Sequence, residues 1–163
     1  MTPFILLNLQ ITLSLIVFAL IALWHIAPRL SKLKLEDALI PLLWVHAFRY
    51  TVLTLFAPGQ VDPSIPQGVV NAIAYGDLLA GILALLSIIG LKRRTPGALG
   101  VVWLFNIVGV LDITNALFQG INAEVYTYDL GFNWYILNFY VPMLIVTHVM
   151  MIRRLITSLR GRA

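Results

Sequence analysis

The stretch ALIPLLWVHAFRYTVLTLF, Ala38 to Phe56, decides how the chain is arranged, because its apolar run is interrupted by His46 and Arg49. Taken without its neighbours it scores poorly as a membrane span. Counted as a span it brings the total to five; discarded, it leaves four and puts both termini on one side. Its flanks favour the span. Arg29, Lys32 and Lys34 precede it, with Glu36 and Asp37 where a helix N-terminus welcomes negative charge. Beyond it, Ala57 to Gly68 carries Pro58, Pro63 and Pro66 and no Lys or Arg, a stiff connector.

Outward from this stretch, four more runs reach the length of about 20 mostly apolar residues that a spanning helix needs. The five expected spans are about 3–26, 38–56, 69–91, 98–119 and 134–152. Lys92, Arg93 and Arg94 follow the third, and Arg153, Arg154, Arg160 and Arg162 follow the fifth as a basic tail over 153–163. Ten of the eleven Lys and Arg residues thus fall on one side, which the positive-inside rule makes cytoplasmic. An all-α, five-helix transmembrane bundle in a single domain is expected, with the N-terminus outside, the C-terminus inside and the cell inner membrane as its location. Met1-Thr2-Pro3 lacks the basic start of a cleaved signal peptide, so the first run reads as a retained anchor. Thr95 and Pro96 suit an N-cap and first helical position for the fourth span.

Composition agrees and narrows the chemistry. Of 163 residues, 60% are hydrophobic and 11% charged, against about 45–50% and 25% in soluble domains, which excludes a water-soluble globule. The absence of cysteine excludes disulfides, a thiol nucleophile and thiolate-held metals. The net charge of +4 is accounted for by helix-end residues meeting lipid headgroups, so no nucleic-acid partner is expected.

Set apart from the flanking charges, Arg49, Asp77 and Asp112 lie inside apolar runs together with His46. An ionisable residue at that depth costs several kcal/mol, about 3 on insertion scales, and marks a functional site by default. Counted from span midpoints, Arg49 lies roughly 3 Å outward of centre, Asp77 and Asp112 roughly 4–6 Å outward and His46 roughly 2 Å inward. All four share one slab. At 100° per residue His46, Arg49 and Tyr50 share a face, with Trp44 opposite. Asp77 falls on the small-residue stripe Ala74, Ala80, Gly81 and Ala84, the kind of face along which membrane helices pack. Asp112 aligns with Asn115 and Gln119, and Pro142 is expected to kink the last helix and free the carbonyl of Asn138.

One arginine against two aspartates leaves a deficit of one positive charge. An aspartate must hold a proton, His46 must be protonated, or a cation must bind. A cavity open to the outer face and lined by Asp112, Asn115 and Asn138 is expected, with Arg49 paired to one or both aspartates. His148, roughly 8 Å inward, falls away from His46, which disfavours a haem between them. A metal ion held by His46, Asp77 and Asp112 would meet repulsion from Arg49, so no cofactor is expected.

The string His46-Ala47-Phe48-Arg49, the stretch Gly76 to Gly81, the segment Trp103 to Asp112 and the run Trp134 through Pro142 to His148 resemble a set of small bacterial inner-membrane proteins of unassigned function. The resemblance covers roughly residues 40–155 and implies no activity. The function expected from the residues is recognition of a small polar or charged molecule, a proton or another cation at a pocket built from His46, Arg49, Asp77, Asp112, Asn115 and Asn138, coupled to transport. The alternatives are a membrane-embedded enzyme acting on a lipid-like substrate, and an accessory subunit of a larger membrane complex. With few spans for an independent pathway, a homo-oligomer or a partner membrane protein is expected.

Overall fold

The computed structural model describes residues 1–160 and is all-helical, with no strand among them. Five helices among these residues are long and apolar enough to cross a membrane: α1 (Pro3–Leu30), α2 (Leu35–Phe56), α3 (Gln67–Lys92), α4 (Ala98–Asn122) and α5 (Asn133–Arg160). They match the five expected runs. Arg153, Arg154 and Arg160 belong to the last turns of α5 instead of a separate tail, and Arg162 lies outside the described residues.

Local chemistry explains the ends. Thr2 caps α1, its hydroxyl accepting the Ile5 N–H at 3.3 Å. Glu36 and Asp37 occupy the first turn of α2 as expected and pair with Arg94 at 3.5 and 2.9 Å. The start of α4 differs from expectation. Gly97, at φ 83°, is the N-cap, while Thr95 accepts the Ala98 N–H in the preceding turn. A left-handed backbone there suits glycine and moves the helix start two residues on.

Three helices depart from α geometry, and the departures shape the site. α2 is α-helical over Leu35–Ala47 and then continues as a 3₁₀ helix over Phe48–Phe56, a long run for that form. In α1 and α5 a π turn, Ala22–Ile26 and Ile136–Tyr140, precedes a proline two residues on, Pro28 and Pro142. The widened turn absorbs the backbone bond that a proline inside a helix removes, since the Val141 N–H reaches back to the Ile136 carbonyl.

Helices α2, α3, α4 and α5 pack around a shared core, and α1 lies along α5, reaching that core at its basic end through Ile26 and Leu30. The loops confirm alternating helix directions. At the basic end Arg154 donates to the carbonyls of Leu30 and Leu33 at 3.0 and 3.1 Å, tying the tail of α5 to the first connection. At the far end the Asp62 N–H donates to the Asp129 carbonyl at 2.8 Å, joining the other two loops. α1 is held at that end through Gln10, whose side-chain oxygen accepts from Trp134 at 2.9 Å and Asn138 at 3.1 Å.

Candidate functional site

Arg49 has no exposed surface, and every polar group of its guanidinium is engaged. Its Nε–H donates to Asp77 Oδ1 at 2.6 Å, one terminal amine donates to Asp112 Oδ2, and the other reaches the Gly109 carbonyl at 3.5 Å. The expected pairing with both aspartates is what the fold builds. Such a fork suits arginine and no other residue, because its planar guanidinium presents donors in two directions at once.

Glycines make room for the cluster. A Cβ on Gly76 would overlap Asp112 Oδ1, and one on Gly109 would lie 2.7 Å from the His148 ring and 3.1 Å from Arg49. At Gly81 the space is less restricted, since a Cβ there would make ordinary contacts of 3.6 Å with the Arg49 Cβ and the Tyr50 backbone nitrogen. The stripe Ala74, Asp77, Ala80, Gly81 and Ala84 is buried, as its small side chains predicted.

Beneath Arg49 lies a second layer. The His46 and His148 rings stand 4.2 Å apart between centroids, and Phe105 contacts both at 5.0 and 5.1 Å. The expectation that depth separates these histidines is overturned: α5 contains a π turn and α2 changes pitch, so counting at one rise per residue misplaces both. Hydrogen bonding assigns the proton of His148. Asn106 donates its amine to the Val102 carbonyl at 2.9 Å, which leaves its oxygen to accept from His148 Nδ1 at 3.0 Å. Thr147 Oγ1 lies 2.8 Å from His46 Nε2 and is also within reach of the Met143 and Leu144 carbonyls. His46 Nδ1 and His148 Nε2 are buried without a partner. An imidazolium would place a second N–H there with no acceptor, so both rings are held neutral.

The remaining expected members fall elsewhere. Asn115 is exposed, in line with Leu111 and Phe118 on the outer face of α4, and does not belong to the pocket. Asn138 is buried but bonds Gln10 on α1. Tyr50 is 51% exposed, because the 3₁₀ geometry turns it away from Arg49 and instead aligns Arg49 with Val52. Trp44 points outward as expected.

A cavity of about 400 Å³ opens above the ion cluster, in the half of the bundle away from the basic end. Contrary to expectation, Asp112, Asn115 and Asn138 are not part of its lining. Its walls are apolar, from Leu7, Val52, Ile73, Leu117, Leu137 and others, and the charged group in the lining is Asp77. Asp77 Oδ1 is taken by Arg49, while Oδ2 accepts no hydrogen bond from a described residue. Near the other end Asn133 also lines the cavity, its oxygen accepting from Thr54 at 2.7 Å and its amine buried without a partner.

Sequence reasoning missed His148, Asn106, Thr147 and Asn133 as parts of the site. Asn106 and Asn133 carried a signal, since a buried amide among apolar residues requires a partner, but the partner lay on another helix. Among the described residues no group of three or more His, Cys, Asp or Glu side chains is arranged to hold a metal ion.

A family model described as a domain of unknown function (DUF8737) matches residues 6–156, reaching back into α1 and so beyond the expected 40–155. No curated protein and no solved structure matches the chain.

Proposed function

The chain belongs to this family of unknown function, and from the geometry of its own site we propose that it is a multi-pass membrane protein that exchanges a proton for a small monocation at Asp77. The N-terminus faces outward and the basic end is cytoplasmic, which places the cavity in the outer half of the bilayer. The observation that carries this reading is the cluster in which one buried arginine serves two aspartates, one of which, Asp77, lines a cavity.

Charge balance supplies the mechanism. With His46 and His148 neutral, the positive charge missing beside Arg49 comes from a proton on the aspartate pair or from a cation in the cavity. Arg49 from α2 bonds Asp77, Asp112 from α4 shares the same guanidinium, and Tyr140 and His148 from α5 stand beside this cluster. Tyr140 is committed to the Val45 carbonyl at 2.6 Å. That leaves the two carboxylates to take up and release the proton. A cation approaching Oδ2 of Asp77 displaces it, and protonation displaces the cation. Access that alternates between the two faces would make this exchange transport.

The test is to add sodium, potassium, tetramethylammonium and choline salts to the purified full chain in lipid nanodiscs, in weakly buffered solution. At least one should release close to one proton per chain, with affinity rising as pH rises. Asp77→Asn should remove the release while circular dichroism shows a folded helical protein. Binding without proton release, or release that survives Asp77→Asn, would overturn the proposal.

A further inference from the structure

The cavity is far larger than an inorganic monocation requires, and its shape carries information about the occupant. Pockets of about 300–1,000 Å³ accommodate organic molecules, with a few polar groups fixing orientation within an apolar wall. Here the polar groups stand at opposite ends. Arg49, bonded to Asp77, and Thr54, bonded to Asn133, are five residues apart on the 3₁₀ stretch of α2. At about 2.0 Å per residue, the Asp77 and Asn133 levels are about 10 Å apart along the axis. One end presents Asp77 Oδ2, which accepts no hydrogen bond from a described residue; the other presents the buried Asn133 amide without a partner. Leaving such a donor unpaired costs about 1–3 kcal/mol, which an acceptor on a ligand would recover.

The wall between these ends is hydrophobic and incompletely packed on one side. α1 contributes Phe4, Leu7, Asn8 and Ile11 to the lining, yet it packs on α5 and on the short 3₁₀ turn Val125–Thr127, without comparable contact to α3 or α4. Phe4 meets Tyr126 at 5.1 Å between ring centroids at the rim. The seam between α1 and α4 is therefore the thinnest part of the enclosure. On the membrane reading it faces lipid, where a molecule with an apolar body is already concentrated.

Resting on the proton-exchange reading above, we propose that the occupant is an elongated amphiphilic monocation whose ammonium-type head sits at Asp77, whose apolar stem fills the cavity, and whose hydrogen-bond acceptor at the far end receives the Asn133 amide. A small inorganic ion would leave the apolar walls and Asn133 without a role.

The experiment compares three probes on the full chain in nanodiscs: (6-methoxyhexyl)trimethylammonium, hexyltrimethylammonium and tetramethylammonium, with proton release and binding heat as readouts. The methoxyhexyl compound should bind tightest, the hexyl compound several-fold more weakly, and tetramethylammonium weaker than the first by at least about 100-fold, the equivalent of about 2.7 kcal/mol. Asn133→Asp, which keeps an oxygen for Thr54 but removes the amide donor, should erase the difference between the first two probes. Leu117→Trp, which fills the cavity away from Asp77, should weaken both long probes at least about tenfold while tetramethylammonium is unchanged; Ala116→Leu serves the same purpose should the tryptophan variant fail to fold. Equal binding of all three with proton release would overturn this inference and leave proton exchange standing. Long-probe binding insensitive to the cavity-filling variants, or a methoxyhexyl preference that survives Asn133→Asp, would also overturn it. Absence of proton release with every probe would overturn the exchange reading and this one together.

Discussion

Toward the basic end, Leu39, Leu43, Ala84, Val102, Phe105 and Met151 are wholly buried and fill the space between α2, α3, α4 and α5, whereas toward the far end the same helices stand around a cavity of about 400 Å³. Residue type alone does not separate these halves, since both are lined by Leu, Ile and Val. Backbone form does. In the packed half α2 is α-helical, and in the open half it is 3₁₀, with a π turn opposite it in α5. A tighter helix is thinner and a wider turn displaces its neighbours, so close packing is lost just beyond the layer of Arg49, His46 and His148. The contrast teaches that the charge cluster is a boundary: it closes a dry core on one side and, through Asp77, lines a cavity on the other.

The sharpest way to break this boundary is Arg49→Ala, which leaves two carboxylates facing each other. Loss of about 3–5 kcal/mol is expected, measured by denaturant unfolding in mild detergent. The triple change Arg49→Met, Asp77→Asn, Asp112→Asn should recover most of that loss, because it removes the charges together. A triple variant no more stable than Arg49→Ala would show that the cluster does more than balance its own charges.

Next in size is the difference between the halves. Leu43→Ala creates a void in a packed core and should cost about 3 kcal/mol. Leu137→Ala only enlarges an existing space and should cost about 1 kcal/mol, little beyond the lost methyl contacts. Equal losses in thermal or denaturant unfolding would argue that the cavity closes up in the folded ensemble.

Smaller still is the effect of the glycines that admit the cluster. Gly76→Ala places a methyl where Asp112 Oδ1 sits and should destabilise by about 1–3 kcal/mol, while Gly68→Ala meets nothing within 4 Å and should be neutral or slightly stabilising. Smallest is Asn115→Leu, expected within about 0.5 kcal/mol of the unmodified chain and without effect on cation-driven proton release. A strong effect would put Asn115 back in the site.

What the sequence revealed and what it hid follow from one assumption. The five long apolar helices and the union of Arg49 with Asp77 and Asp112 were legible, because burying an arginine leaves few ways to satisfy it and the carboxylates lay at matching depths. The faces of α3 were legible from its alanines and glycines. The error on Asn115 came from taking Asp112 as the middle of the buried face of α4. The buried residues Phe105, Asn106, Gly109 and Ile113 centre that face elsewhere, and Asp112 stands at its edge. Three residues on, Asn115 lies about 60° beyond that edge. Tyr50 and His148 were misplaced because uniform α geometry was assumed across a 3₁₀ stretch and a π turn, and neither announces itself in composition. The cavity was hidden for the same reason: it is made by where backbones diverge.

The arginine fork also has a consequence for how the chain is made. Asp77 comes 28 residues after Arg49 and Asp112 comes 63 after it, so a ribosome finishes α2 before either counter-charge exists. At about 5–20 residues per second the wait for both is on the order of 3–13 s. α2 also has the lowest hydropathy of the five helices, 1.5. On the membrane reading, α2 therefore cannot settle in lipid on its own during synthesis. It must remain in a wet or protein-lined setting until α3 and α4 arrive, so integration of the N-terminal half is completed only by residues translated later.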